Sequence, residues 1–350
     1  MLLTLGIDVS KDTLECCLKG ENANGQLVVR ASKTFKNSME GHEALKAWIS
    51  SKARDKSSVN CLMEATGVYH EDILYYLYDN GFTCFVVLPN KTHHYAKCLN
   101  LKAKTDKIDA ALIADYGVKQ IDSLKPWQPA TQSIRSIRIN SRLIEEIDDM
   151  IVVIKNRLHA LKTAHRVAPV VIKHVEKLLN QQLETKKNLE KMIDEEIDND
   201  PEMKALVQEP AKVKGLTQRT VARVLAETNC FRNISSLRKI TSYAGLELVV
   251  RQSGASCKVM SISKRGNGHL RRLLYMGSLS AGQYDPANSR LRQRMIASGH
   301  KPKQCTIAIM RKLLCLIFTL TKYRRIYDPN YNWHKANNIQ PKASTLPKDS

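Results

Sequence analysis

The spacing of hydrophobic positions changes along the chain, and each change marks a different kind of element. "LLTLGIDVS" is an apolar run that reads as a buried strand ending at Asp8. "DTLECCLKG" and "GQLVVRASKTF" follow as strands, with "ENANG" as the hairpin turn between them. "SMEGHEALKAWISSK" shifts to helical spacing through Leu45, Trp48 and Ile49. "SVNCLME" is a further strand, ending at Glu64. "HEDILYYLYDNG" reads as a helix closed by Gly81, and "FTCFVVLP" as another strand. Three meandering strands followed by alternating helix and strand predict a mixed α/β sheet with helices on its faces.

After "KPWQPA" the period becomes seven. Ile137, Ile144, Ile151 and Leu158 recur every heptad, Ile147, Ile154 and Leu161 follow three residues behind, and Asn140 is the polar exception. Pro169 interrupts the seam, and a less regular helix runs from about 171 to 199. The seam suits an internal helical hairpin or a dimerising coiled coil; the lone seam Asn, which fixes register, favours a partner chain. From about 204 the pattern is helical with loops. "VKGLTQRTVARVLAE" looks like a helix-hairpin-helix whose glycine turn offers amides to a phosphate, although Thr217 stands where a second glycine is usual. The expected organisation is an α/β domain over 1–125, a helical coiled-coil linker over 126–203 and a mostly helical domain over 204–330. A loose polar tail over 331–350 ends the chain.

Charge adds the first functional clue. The 350 residues carry a formal charge of +21, which repels itself in a compact chain and suits a polyanion such as nucleic acid. Between Arg251 and Tyr327 there are 16 Lys or Arg against one acid, Asp285, whereas residues 190–202 hold seven acids and one lysine. Nine cysteines without a C-x-x-C pair exclude a zinc framework, and their odd number argues against a disulfide scaffold. No signal-peptide pattern opens the chain, and the apolar run "LLCLIFTL" is too short to span a bilayer. A cytoplasmic protein with reduced thiols and no membrane is expected.

"KAKTDKIDAALIAD" places Asp106 and Asp109 three residues apart among lysines. A solvated helix face with interspersed charges would look the same. The element order above is that of the RNase H-like fold, in which the first and fourth strands are neighbours. Asp8 and Glu64 would then lie side by side, and a later helix can bring Asp106 and Asp109, surface neighbours at that spacing, to the same edge. Four acids at one point repel unless divalent cations sit among them, and hard oxygen ligands suit Mg²⁺ or Mn²⁺. Two such ions can clamp the attacking and leaving oxygens of a phosphoryl transfer. "GIDVSKDTL" also resembles the opening strand of sugar kinases and actin-like ATPases, but the second glycine-rich phosphate loop they need is absent.

A second constellation is "RQSGASCKVMSISKRGNGHLRR", with six basic residues and no acid. Gly254 beside Ser253 permits a close backbone approach. A serine hydroxyl can attack phosphorus if a base or metal activates it. His269 is the nearest histidine in sequence, so serines that merely hydrogen-bond a phosphate remain an alternative. Arg251, Lys258, Lys264, Arg265, Arg271 and Arg272 are candidate phosphate contacts.

Together these motifs resemble a known family. Asp8 in "GIDVSK", Glu64 in "MEATGVYH" and the pair in "KTDKIDA" look like the DEDD signature of IS110-type transposases and Piv-type DNA invertases. "FRNISSLRKITSYAGLELVVRQSG", "ISKRGNGHLRRLL" and "IAIMRKLLCLIFTLTKYRRIYD" are similar to that family's C-terminal domain. The resemblance covers roughly residues 3–328. It implies a RuvC-like domain whose metal-binding acids work with a serine of the transposase domain, and Mg²⁺ as cofactor. That serine attacks DNA and becomes covalently linked to it. Gln252 replaces the first of the family's two serines, so Ser253 matches the nucleophile and Ser256 is the weaker alternative. Donor and target DNA, a structured guide RNA and a homo-oligomer, dimer or tetramer, are the implied partners, in a bacterial, nucleoid-associated setting. A water-using Holliday-junction nuclease, an invertase without guide RNA and a nucleic-acid-binding protein on a degenerate nuclease fold are the rivals.

Overall fold

The apolar N-terminal run is buried on both faces because it becomes the central strand of a five-stranded sheet. The computed structural model describes residues 3–53, 55, 58–65, 67–100, 105–253 and 256–329, those of 250–260 through their backbone alone. β1 (Leu3–Val9) pairs antiparallel with β2 (Thr13–Glu21), and β2 with β3 (Leu27–Lys36). Asn22 closes the β2–β3 turn, its Oδ1 accepting from the amides of Asn24 and Gln26. The chain continues through α1 (Met39–Lys52), β4 (Val59–Glu64), α2 (Glu71–Asp79) and β5 (Thr83–Val87). β1, β4 and β5 run parallel, giving the order β3-β2-β1-β4-β5. The expected adjacency of the first and fourth strands is present. α3 (Pro89–Cys98) and α4 (Asp106–Gln120) complete the first of two compact units, which ends at Pro129.

Side chains alternate across the sheet. Leu5, Ile7 and Met63 point into one core with Leu45, Ile49, Ile73 and Leu77 of α1 and α2. Leu62, Phe85 and Val87 point the other way, onto Ile113 of α4. Helices on both faces explain why neighbouring Cys16 and Cys17 are both buried.

On the second face α4 meets β1 backbone to backbone. A Cβ on Gly6 would stand 2.2 Å from the Ala110 carbonyl oxygen and 2.4 Å from the Ala114 amide nitrogen. One on Gly117 would stand 2.5 Å from Cγ2 of Thr4 and 3.1 Å from Cδ2 of Leu62. The helix therefore runs back along the strand, Gly117 over Thr4 and Ala110–Ala114 over Gly6. A salt bridge from buried Lys19 of β2 to Asp115, 2.9 Å, fixes its position along the sheet.

The second unit begins at Ala130. α5 (Gln132–Thr163) and α6 (Pro169–Asn199) form a long hairpin. Ile137, Ile144, Ile147 and Ile151 are buried with Ile193 and Ile197 in one core. That core also takes in α7 (Pro201–Ala211), α8 (Gln218–Glu227), α9 (Leu237–Tyr243), α10 (Gly268–Tyr284) and α12 (Pro302–Lys322). α11 (Pro286–Ala297) packs against it through Leu291. The first half of the heptad seam is thus used internally, while Ile154, Leu158 and Leu161 are half-buried. Asn140, expected to face a partner chain, is 8% exposed inside its own unit.

Three further expectations change. The glycine turn before α8 is not open to a ligand at Gly215, whose Cβ would meet the Gly277 carbonyl at 2.3 Å. "LLCLIFTL" is part of a 21-residue helix, long and apolar enough to cross a membrane by length and composition, but half of it is buried in the core. The region around Ser253, expected to be loop among helices, is a β-hairpin of β6 (Leu248–Ser253) and β7 (Ser256–Ile262). Val249, Val250, Val259 and Ile262 on either side of "SGAS" are β-branched, a strand signature present in the sequence.

The packing generates a test of the fold. Gly6→Ala should destabilise the first unit by about 3 kcal/mol or more, because the added methyl meets rigid backbone and can be relieved only by lifting α4. Urea unfolding would measure it. A wild-type midpoint would show that α4 does not rest on Gly6.

Candidate active site

The carboxylates singled out in the sequence lie at one end of one sheet face. Ile7 and Met63 are register partners, so Asp8 and Glu64 are the next residues on adjacent parallel strands. Both fall on the α4 face by alternation with Gly6 and Leu62. From Thr4 to Asp8 the strand rises about 13 Å. The same distance along α4 from Gly117 is about nine residues, which ends in the first turn, at Asp106 and Asp109. That first turn explains why two acids sit together. Thr105 caps it, its Oγ1 accepting from the Ile108 amide at 3.3 Å, and the free amide ends of the helix favour negative charge there.

Glu64 is held by a residue the sequence reasoning missed. Thr92, 1% exposed on α3, donates its hydroxyl to Glu64 Oε1. The available signal was Pro89 after Leu88, proline at the first position of a helix starting at the strand end. As the side chains stand, no three His, Cys, Asp or Glu among the described residues are grouped closely enough to hold an ion. The donor set itself, four carboxylates, fits a hard divalent cation such as Mg²⁺ or Mn²⁺.

Ser253 lies in the second unit. It is the last residue of β6, and its register partner is Ser256, the first of β7. The two candidate nucleophiles are cross-strand neighbours at the hairpin's end. They lie about 16 Å along the strands from the Leu248–Ile262 pair at its base. Arg251 and Lys258 are also register partners on this hairpin.

The "SKRGNG" stretch that follows is a backbone crossing. The Ser263 amide donates to the Glu247 carbonyl, Lys264 to Gly245 and Asn267 to Tyr243 at 2.7 Å. Gly266 has φ +156°, and a Cβ there would stand 2.4 Å from the Tyr243 carbonyl, so only glycine fits. Lys264 and Arg265 are exposed on this crossing. Arg271 and Arg272, predicted as phosphate contacts, each have a partner within the unit, and Arg272 remains exposed. Arg271 donates to the Ala244 carbonyl at 2.8 Å, and Arg272 forks onto Asp149 at 2.8 and 2.7 Å.

Beneath the crossing lies a buried carboxylate that sequence reasoning also missed. Glu227 accepts from Arg142 Nε and Nη2 at 3.0 and 3.2 Å and from Asn267 Nδ2 at 2.8 Å. Its backbone carbonyl accepts from the Tyr243 hydroxyl at 3.2 Å. Burial pushes its carboxyl pKa up, and the bonds from Arg142 and Asn267 overcome that and hold it below the ordinary range. Asn267 also caps α10, its Oδ1 accepting from Leu270. One acid thereby ties α5, α8 and the start of α10 to the hairpin base.

Comparison with known proteins finds two family matches, the first of which runs past the end of the first unit into α5 and the loop after it. Residues 5–166 match a family described as "Transposase", and residues 211–294 match one described as "Transposase IS116/IS110/IS902 family". The "Pilin gene-inverting protein" of Moraxella bovis is 30% identical over 328 residues, 93% of this chain and 97% of that protein. Its namesake in Moraxella lacunata matches equally. The "Insertion element IS110 uncharacterized 43.6 kDa protein" of Streptomyces coelicolor is 24% identical over 114 residues, 33% of this chain and 28% of that protein. Among solved structures, Thermus thermophilus RuvC aligns over 36% of this chain and 100% of its own at 15% identity, with a TM-score of 0.28. An Aquifex aeolicus Ppx/GppA protein aligns over 98% and 99% at 10% identity and TM-score 0.23.

Glu227 gives a pH-dependent prediction. Its folded pKa is depressed, so its contribution is present above the unfolded value of about 4.3 and is lost as pH falls through the folded value. Glu227→Gln should cost about 2 kcal/mol at pH 7, and the gap from wild type should narrow as pH falls below about 4.3. Thermal melts across pH would show it; a gap constant with pH would mean the carboxylate's charge contributes nothing.

Proposed function

The chain belongs to the IS116/IS110/IS902 transposase family, and from that premise we propose that it is the strand-exchange enzyme of an insertion sequence. The family is one of transposases and DNA invertases, so the chain is an enzyme of DNA recombination. What supports this reading is the register that sets Asp8 beside Glu64 on β1 and β4, and the packing of α4, which carries Asp106 and Asp109 in its first turn, on that same sheet face. Asp8, Glu64, Asp106 and Asp109 would hold Mg²⁺ or Mn²⁺, which when bound neutralises charge on a phosphate and lowers the pKa of a hydroxyl.

Ser253 is the assigned nucleophile. Its Oγ attacks phosphorus, the bond to the leaving sugar oxygen breaks as the serine ester forms, and the leaving oxygen takes up a proton. A DNA hydroxyl attacking that ester reverses the exchange, so the ends are rejoined without ATP. Lys264 and Arg265, exposed at the hairpin base, position phosphates, with Arg251 and Lys258 on the hairpin itself. The acids and the serine belong to different units, and in a homo-oligomer on donor and target DNA one chain's acids can meet another's serine. A structured guide RNA completes the set of partners; RNA that copurifies, and whose removal by nuclease stops the reaction, would identify it. The gene-inverting relatives favour inversion as a second outcome of the same chemistry.

Two experiments test the assignment. Asp106→Asn should abolish strand exchange while nucleic-acid binding and folding stay near wild type; full activity under controlled divalent ion would remove the metal role. Reactions trapped in denaturant on a nicked suicide substrate should contain protein joined to DNA through phosphoserine at Ser253. Ser253→Ala should lose adduct and exchange together, and Ser256→Ala should keep both. An adduct on Ser256 moves the nucleophile three residues, and free cleaved ends from active protein would point to hydrolysis by water.

A further inference from the structure

We propose that the cavity between α11 and α12 is an anion site that grips the phosphodiester backbone of a nucleic-acid strand, built from residues with no role in the chemistry above. Arg290 and Arg294 lie one turn apart on α11, and Lys312 joins them from α12. With Ala287 and Leu291 they line a cavity of about 490 Å³.

Among the described residues none of these three cations has a hydrogen bond or an ion pair within 4 Å. Elsewhere in the same unit Arg142, Arg219, Arg223 and Arg272 each have a carboxylate within that distance. Lys312 is partly buried, and burial, reinforced by the fields of Arg290 and Arg294, lowers its ammonium pKa. Asp285 opposes that shift more strongly than either arginine adds to it, but it already caps α11 by accepting from the Asn288 amide at 2.9 Å. Three cations thus line one cavity with no carboxylate in direct contact, and an anion there would supply their missing partner.

The lining also selects the kind of anion. Ala287 and Leu291 offer neither an aromatic face for stacking nor a hydrogen-bonding group to read a base edge. Two arginine forks match phosphate oxygens geometrically. Such a site recognises backbone and is indifferent to sequence. Only the source of the phosphate, a nucleic acid, rests on the function proposed above.

The test is equilibrium binding of a labelled DNA duplex of arbitrary sequence, in EDTA, across a salt series. The double variant Arg290→Gln/Arg294→Gln should bind about ten-fold more weakly, with a log–log salt slope shallower by about one to two. Lys312→Met should weaken binding likewise while raising the melting temperature of the DNA-free protein, because it removes a buried and repelled charge. A lysine with a purely structural part would melt lower on loss and leave the salt slope alone. Unchanged affinity and slope in both variants overturn the proposal. So does a wild-type melting temperature raised by inorganic phosphate when the variants still bind duplex normally, since the occupant is then a free anion. Ser253→Ala, run alongside, should bind as wild type does. Failure of the covalent chemistry and failure of this site thus read out separately.

Discussion

The backbone of Ala110 and Ala114 rests directly on Gly6, and the placement of the paired acids follows from that contact. With no side chain between them, helix and strand approach closer than any other residue at position 6 would allow. Gly117 over Thr4 and the Lys19–Asp115 bridge remove the freedom to slide or roll. A helix fixed in this way carries its first turn to a determined point, and a slip of one residue would rotate Asp106 and Asp109 about 100° away from the strand ends. Strand register does the same for the other pair: Ile7 opposite Met63 leaves Asp8 beside Glu64. Elements a hundred residues apart in sequence are held in place by close backbone packing, one salt bridge and the strand ladder.

The second unit works from the opposite deficit. In a chain with 55 basic and 34 acidic residues, a buried acid is scarce and its partners are informative. Glu227 collects Arg142 and Asn267, and Glu145 accepts from His269 at 2.7 Å with Arg223 at 3.8 Å. These acids sort the basic residues into two groups. Arginines that reach a carboxylate or carbonyl become ties within the fold, and the strength of a charge-assisted fork makes those ties rigid. Lys264 and Arg265 at the hairpin base, and Arg290, Arg294 and Lys312 at the α11–α12 cavity, are left outside that network. Counting positive charge along the sequence cannot make the distinction, because Arg271 and Arg265 are equally basic there.

That is also where legibility ended. The sheet could be read because its strands are short, apolar and punctuated by turn residues, and because the element order leaves few arrangements. The acids could be placed because each sits at an element's end, where a strand or helix stops in a defined place. Thr92 could not, since a threonine in a polar helix gives no sign that a strand-end glutamate will reach it. Asn140 is buried within its own unit; a seven-residue period identifies a seam and does not say which surface fills it. The β6–β7 hairpin was passed over because charge and small residues drew attention away from the β-branched flanks on either side of "SGAS".

The acids at the sheet end and the cations at the α11–α12 cavity share one physical property. Each sets like charges on neighbouring elements, carboxylates on β1, β4 and α4 and cations on α11 and α12. Selection for folding would have neutralised either with one substitution: an amide for an aspartate, or an uncharged side chain at Lys312. Groups kept in mutual repulsion when a simple replacement would relieve it are the expected mark of a binding site, where the ligand supplies the missing charge. The helix dipole at Asp106 and Asp109 and the field of Asp285 at Lys312 reduce the cost without removing it. The acids call for a small hard cation because four oxygens can surround one. The cations, spread over two helices and walled by Ala287 and Leu291, call for something larger and anionic whose charge is carried on oxygens. A DNA strand with divalent ions at its reacting phosphate carries both kinds of missing charge.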